Sequence, residues 1–253
     1  MNRAASMLLV GMLALALVVP AIAFGEELTP KEIVKRSDEK LRGAKSYSIL
    51  TMEIVRPEWS RTMKMKAWTE GTEKAFIRVL SPAKDKDTAF LKIGREAWQY
   101  IPAIERTMKI PPSMMLQSWM GSDFTNDDLV RADSLVVDYT HKIIETPTIN
   151  GVECWKIELK PKPNAAVVWG KIEITIRKDN LVSTRADYYN EDNELVKYFE
   201  TADIKTIEGK VVPTKFTMHD VKKKGHSTTM IYEDLTFSPN IPPNTFTVSN
   251  LKK

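Results

Sequence analysis

Three histidines, one cysteine and a group of aspartates are the residues in this sequence best suited to catalysis or metal binding. His141, His219 and His226 stand in separate strand-like or turn-like regions, without the close spacing of metal ligands. Cys154 does not complete a zinc pattern. It lies inside the run Val152–Leu159, where it reads as a small packing residue with no base beside it. Asp123, Asp127 and Asp128 lack the order of a calcium-binding loop and read best as helix caps, with metal binding, catalysis or partner contact as rivals. No nucleophile elbow, phosphate-binding loop or dinucleotide fingerprint is present. The expectation is a binding protein, not an enzyme, with no catalytic residue, cofactor or metal. A site assembled in space from distant residues is the rival.

The chain is rich instead in soft, large apolar groups. Nine of its twelve methionines and all six tryptophans follow the first 23 residues. Methionine adapts its shape to irregular apolar surfaces, and tryptophan sits where apolar and wet regions meet. Core packing accounts for most of them. One segment stands out: Ser113–Met120, with Met114, Met115, Leu116, Trp119 and Met120, is apolar nearly all round and reads as a short helix stopped by Gly121. Such a segment must be buried, as a plug on the inner side of a sheet or as a lid over a cavity there. Thr125 and Asp128 have capping-box spacing and predict a second short helix.

Elsewhere the periodicity is twofold. Met63, Met65 and Ala67 alternate with Thr62, Lys64 and Lys66, and Ile172, Ile174 and Ile176 alternate with charged residues. Similar runs cover Ser46–Val55, Ala75–Leu80, Asp87–Ile93, Ala97–Ile101, Arg106–Ile110, Leu135–Glu145, Val182–Tyr189, Leu195–Ile204, Val211–Val221 and Thr228–Phe237. Turn residues such as Asn150-Gly151 and Glu208-Gly209 separate them. Many strands in series predict an antiparallel meander. Before them, Thr29-Pro30-Lys31-Glu32 opens an amphipathic helix with Ile33, Val34, Ser37 and Leu41 on one face, ended by Gly43. The run Lys222-Lys223-Lys224 before Gly225 reads as a solvated hairpin tip, or as a patch for acidic headgroups or a partner.

Arg3, the apolar run Ala4–Val19 and Ala21-Ile22-Ala23 form the pattern of a secretory signal peptide, with a retained anchor as the rival. The expected organisation is a signal peptide over 1–23 and a single domain over 24–253, soluble in the periplasm. The formal net charge of +4 argues against a nucleic-acid partner.

The segment Gly94-Arg-Glu-Ala-Trp98-Gln-Tyr100-Ile-Pro102 resembles the G-x-x-x-W-x-Y-x-P hairpin of LolA-like periplasmic carriers. Phe237-Ser-Pro-Asn-Ile-Pro-Pro-Asn-Thr-Phe246-Thr-Val248 resembles their closing segment, and Gln117–Leu129 is most similar to the outer-membrane lipoprotein-sorting subfamily. The resemblance covers essentially the whole mature chain. It implies a mainly β fold with short helices: an incomplete, curved antiparallel β-barrel covering helices. It also implies a carrier of acyl chains of lipoproteins or other lipids in an apolar cavity, sorting them toward the outer membrane. An inner-membrane transporter or an outer-membrane acceptor would be the delivery partner. A sensor or adaptor on the same scaffold, partnered with an RND-type exporter, is the alternative. Strand parity beside the hairpin assigns Met65, Phe76, Trp98, Tyr100, Met108 and Ile110 to the lipid site. Met114, Met115, Trp119, Met120 and Phe124 join them from the interrupting segment. In the classical carrier the turn after Trp68 holds a functional arginine; here Thr69–Lys74 has none, and its role is not carried over to Lys74.

Overall fold

The computed structural model describes residues 27–131 and 134–253, so the signal peptide expected over 1–23 lies outside the described residues. Helix α1 (Pro30–Arg42) begins where expected: Thr29 Oγ1 accepts from Glu32 N at 3.2 Å, and Pro30 occupies the first helical position. The spacing of Thr29 and Glu32 fits a capping box, but the Glu32 carboxylate instead accepts from Arg36 one turn on. Gly43, at φ 59°, ends the helix in a conformation that favours glycine.

Among the described residues thirteen strands follow in one antiparallel path: β1 (Lys45–Val55), β2 (Ser60–Glu70), β3 (Lys74–Ser81), β4 (Ala89–Ile93), β5 (Glu96–Ile101), β6 (Arg106–Lys109), β7 (Tyr139–Glu145), β9 (Val152–Pro161), β10 (Lys171–Arg177), β11 (Ser183–Tyr189), β12 (Leu195–Ile207), β13 (Lys210–Asp220) and β14 (Ser227–Phe237). The short β8 (Thr148–Ile149) pairs with β9 off this path. The spatial order is β6-β5-β4-β3-β2-β1-β14-β13-β12-β11-β10-β9-β7. The two meanders therefore meet where β1 pairs with β14, and the sheet curves without closing.

Two local expectations change. Leu135–Glu145 is not one strand: Ser134–Val137 forms the short helix α3, with Asp138 N donating to Ser134 O, before β7 begins. Ser113–Met120 is not a helix. It contains 3-10 turns over Pro112–Met114 and Trp119–Gly121, and Met120 at φ 53° breaks any helical path. Leu116 is exposed, so the segment does not bury its whole girth. The helix expected after Thr125 is present as α2 (Asn126–Val130), with the reciprocal Thr125–Asp128 capping box.

Strand register sorts the side chains between two faces. On one face lie the rows Ser48–Ala67–Ile77–Phe90 and Ile157–Ile174–Ala186–Phe199–Met218, covered by the helices and the 111–125 segment. On the other face runs the row Tyr47–Trp68–Phe76–Leu91–Trp98. There the chain after β14 returns as a strap, and Leu251, fully buried, packs with Phe76, Ala89 and Leu91. Arg78 Nη2 holds the strap by donating to Asn250 O at 2.6 Å.

Candidate functional site

The covered face does not fill itself. A cavity of about 400 Å³ remains between the sheet, α1, α2 and the 119–124 segment, within the range of about 300–1,000 Å³ typical of small-molecule sites. Its origin is the distribution of bulk across the sheet. In β1–β3 the large aromatics Tyr47, Trp68 and Phe76 point to the strap side, while Ser46, Ser48, Ala67, Thr69 and Ala75 point inward. Small residues inside and large ones outside leave the space. The opposite wall is heavier: Ile172, Ile174 and Ile176 of β10, Tyr188 of β11, Phe199 of β12, Phe216 and Met218 of β13, and Met230 and Tyr232 of β14. Phe199 and Phe216 stack with ring centroids 5.6 Å apart, and Tyr232 meets Phe216 edge-on at 5.5 Å.

Polar groups at the cavity are mostly paired. Arg42 bonds Asp38 at 3.1 Å, Arg131 bonds Asp127 at 2.9 Å and Lys197 bonds Asp128 at 2.8 Å. Lys197 is 8% exposed and lies 4.9 Å above the Trp169 ring and 5.2 Å above Tyr188. It ties β12 to the N-terminus of α2 through the same carboxylate that caps the helix. Burial pushes the Asp127 carboxyl and the Tyr188 and Tyr232 hydroxyls up from their ordinary values. It pulls the Lys40 ammonium down, against the opposing pull of Asp179. The result is an apolar chamber with charges neutralised at its walls, suited to reversible burial of an apolar chain.

The residues assigned to the site from sequence divide into four groups. Trp119 and Phe124 line the cavity. Met65 and Ile110 are buried beside it in the adjoining core, with Met114, Met115 and Met120 packed against that core. Met108 shares the inward face through its pairing with Gln99, on the edge strand β6. Phe76, Trp98 and Tyr100 lie on the opposite face, against Leu251 and Phe246. Phe76 and Trp98 flank Leu91 in one cross-strand row, whereas Met65 pairs with Val79 in the inward row. Two segments of the family-like pattern, the hairpin and the closing segment, thus meet each other rather than the cavity. Lys74, in the turn without arginine, bonds Glu70 at 3.0 Å and lies 5.8 Å from the Phe246 ring.

The 119–124 segment contributes Trp119 and Phe124 to the wall of the chamber. Trp119 is 2% exposed, its ring edge-on to Phe90 at 6.1 Å, and its backbone N–H donates to Phe124 O. Asp123 does not cap a helix: its carboxylate takes Arg56 at 3.0 Å and the Thr228 hydroxyl at 2.7 Å. Arg56 Nη2 also donates to Gly121 O at 2.9 Å.

The heavy wall of β11–β14 escaped sequence reasoning. Its signal was present as the pairs Phe216/Met218 and Met230/Tyr232 at spacing two, but which face they share depends on pairings between strands distant in sequence. The histidines stay apart: His141 Nε2 bonds Leu135 O at 2.7 Å, and His219 stacks on Tyr198. Among the described residues no three His, Cys, Asp or Glu are grouped to hold a metal ion, and no helix is long and apolar enough to cross a membrane.

A family model described as "-like: Uncharacterized protein" matches residues 71–253. No curated protein matches the chain. Among solved structures, a DUF1329 family protein from Desulfovibrio piger is 25% identical with a TM-score of 0.80, over 88% of this chain and 97% of that one. An outer membrane lipoprotein-sorting protein domain from Vibrio parahaemolyticus is 21% identical with a TM-score of 0.77, over 88% and 98%. A LolA superfamily protein from Nitrosomonas europaea is 20% identical with a TM-score of 0.73, over 88% and 99%. The chain belongs to the family of the matching model, and its fold is LolA-like, a curved, unclosed antiparallel sheet with short helices on its inner face.

Proposed function

We propose that this chain is a periplasmic carrier that buries acyl chains of lipoproteins or other lipids in the cavity and releases them toward the outer membrane, without chemistry of its own. The observation that carries the reading is the cavity of about 400 Å³, walled by Ile174, Phe199, Phe216 and Met218 and left open by Ala67, Ala75 and Ser48. An acyl chain gains from leaving water, and the paired charges at the walls need not be separated to admit it. Likeness in fold to a lipoprotein-sorting domain supports the choice of cargo. An inner-membrane transporter that loads the carrier, or an outer-membrane acceptor that unloads it, completes the proposal.

The test is binding of a fluorescent fatty-acid series of increasing length. Transfer of one methylene is worth about 0.8 kcal/mol, or up to about fourfold in affinity, less what the chain loses in freedom. Affinity should climb with length until the cavity is full and then level. Affinity independent of length, or no binding, overturns the carrier reading.

A further inference from the structure

Two hairpin tips beside the 119–124 segment form a surface that the carrier reading does not use. The β1–β2 turn, Arg56–Trp59, is closed by Arg56 N donating to Trp59 O at 2.8 Å. The β13–β14 turn carries Val221, Lys222, Lys223, Lys224 and Gly225, with His226 N donating to Lys223 O. The tips lie close together: a Cβ added at Gly225 would come within 3.4 Å of the Pro57 ring. Three large apolar side chains stand in water there: Trp59 is 50% exposed, Val221 43% and Val55 42%. Beside them Lys222 pairs with Glu194, 60% and 58% exposed, so water and salt screen that pair, and Lys223, itself 60% exposed, pairs with the half-buried Asp220. Lys224 extends the run.

We propose that these tips dock the protein on an anionic phospholipid surface, Trp59, Val55 and Val221 entering the interfacial layer while Lys222–Lys224 meet the phosphates. The pairing of chemistries selects this partner. A polyanion such as nucleic acid would satisfy the lysines and leave the tryptophan and valines wet. A bilayer interface takes both, because indole rings settle at the headgroup level and lysines beside them gain from anionic lipid. The position fits the cavity as well. Arg56, at the start of the docking turn, bonds Gly121 and Asp123 of the segment that gives the chamber Trp119 and Phe124, and Thr228, just past the lysine turn, bonds the same aspartate. The docking tips are therefore the ones that hold this wall segment.

The inference extends the carrier reading but stands on residues outside the cavity, so the two can fail separately. The experiment is co-sedimentation of the mature protein with phosphatidylcholine vesicles, with and without phosphatidylglycerol. It is run on wild type, Trp59→Ala with Val221→Ser, and Lys222, Lys223 and Lys224→Gln, with fatty-acid binding measured in parallel. Wild type should bind the anionic vesicles. The lysine variant should lose roughly tenfold or more, each lysine near an anionic surface contributing up to about fivefold. The Trp59/Val221 variant should also lose binding to the anionic vesicles, and all variants should keep fatty-acid affinity. No vesicle binding by a wild type that binds fatty acid overturns docking alone. Binding carried by the lysines with no effect of the Trp59/Val221 variant reduces the patch to a general anion surface and also overturns it.

Discussion

Arg56 and Asp123 form an ion pair at the 119–124 segment of the cavity wall, Nη1 to Oδ2 at 3.0 Å, with side chains only 10% and 6% exposed. The pair is well served: Arg56 also donates to Val55 O and Gly121 O, and Asp123 also accepts from the Thr228 hydroxyl. It joins three parts of the chain that are far apart in sequence: the first hairpin turn, the interrupting segment and the start of the last strand.

Breaking that pair from one side should be costly. Arg56→Ala leaves a buried carboxylate with only the Thr228 hydroxyl, and removal of one partner of a buried pair costs about 3–5 kcal/mol. Urea unfolding of Arg56→Ala, Asp123→Ala and the double variant should show the double costing less than the sum of the singles. Strict additivity would show that the two side chains act independently.

Trp119→Ala separates a plug from a lid. The side chain is buried against Phe90 and the methionine core, and its loss should cost about 3–5 kcal/mol. The folded fraction should still bind fatty acid, because the heavier wall of β10–β14 is untouched. Little loss of stability together with lost binding would instead mark Trp119 as a movable cover.

Much of the fold could be read from the sequence because its rules are local. Alternation in runs such as Met63–Ala67 and Ile172–Ile176 marked strands, and glycines and asparagines marked turns. The Thr29 and Thr125 caps set helix starts correctly. The site was less legible, because facing is a pairwise property. Phe76 alternates as cleanly as Val79, yet one packs under the C-terminal strap and the other under Met65. No local rule says that a strap from residue 238 onward will cover the face that holds Trp98 and Tyr100. Apolar composition likewise overstated the helix at Ser113–Met120, where Pro112 and the positive φ of Met120 give turns.

The strap supplies a third prediction. Leu251 is fully buried against Phe76 and Leu91, so Leu251→Ala should cost about 2–5 kcal/mol. Trp98→Ala should also destabilise, and neither should alter the fatty-acid affinity of the folded fraction. A selective loss of affinity in Trp98→Ala would return that residue to the lipid site.

Filling the chamber tests the cavity directly. Ala186 lines it from β11, paired with Ile174 and Phe199. Ala186→Phe grows into empty space rather than a packed core, so stability should change by less than the roughly 1–3 kcal/mol typical of overpacking. Long-chain fatty-acid affinity should fall at least several-fold. Unchanged affinity at every chain length would place the acyl chain elsewhere.

His141 gives the fold a pH response above the range where carboxylates titrate. Burial holds its imidazole pKa below the ordinary 6.5, and Lys31 and Lys162 push the same way, while the hydrogen bond to Leu135 O opposes them. The unfolded chain therefore binds a proton at this residue before the folded one does. The stability contribution is complete above pH 6.5 and is lost as pH falls through the lower folded value. Carboxylates such as Glu173 respond later. Burial raises its pKa, but the bonds from Lys156 and Lys171 outweigh that and leave it below 4.5, so its contribution is lost only in stronger acid. His141→Gln keeps a donor for Leu135 O and removes the titration. Unfolding free energy measured against pH should decline for wild type between 6.5 and the carboxylate range, while His141→Gln stays level there. Equal slopes in the two proteins would assign the acid response to other groups.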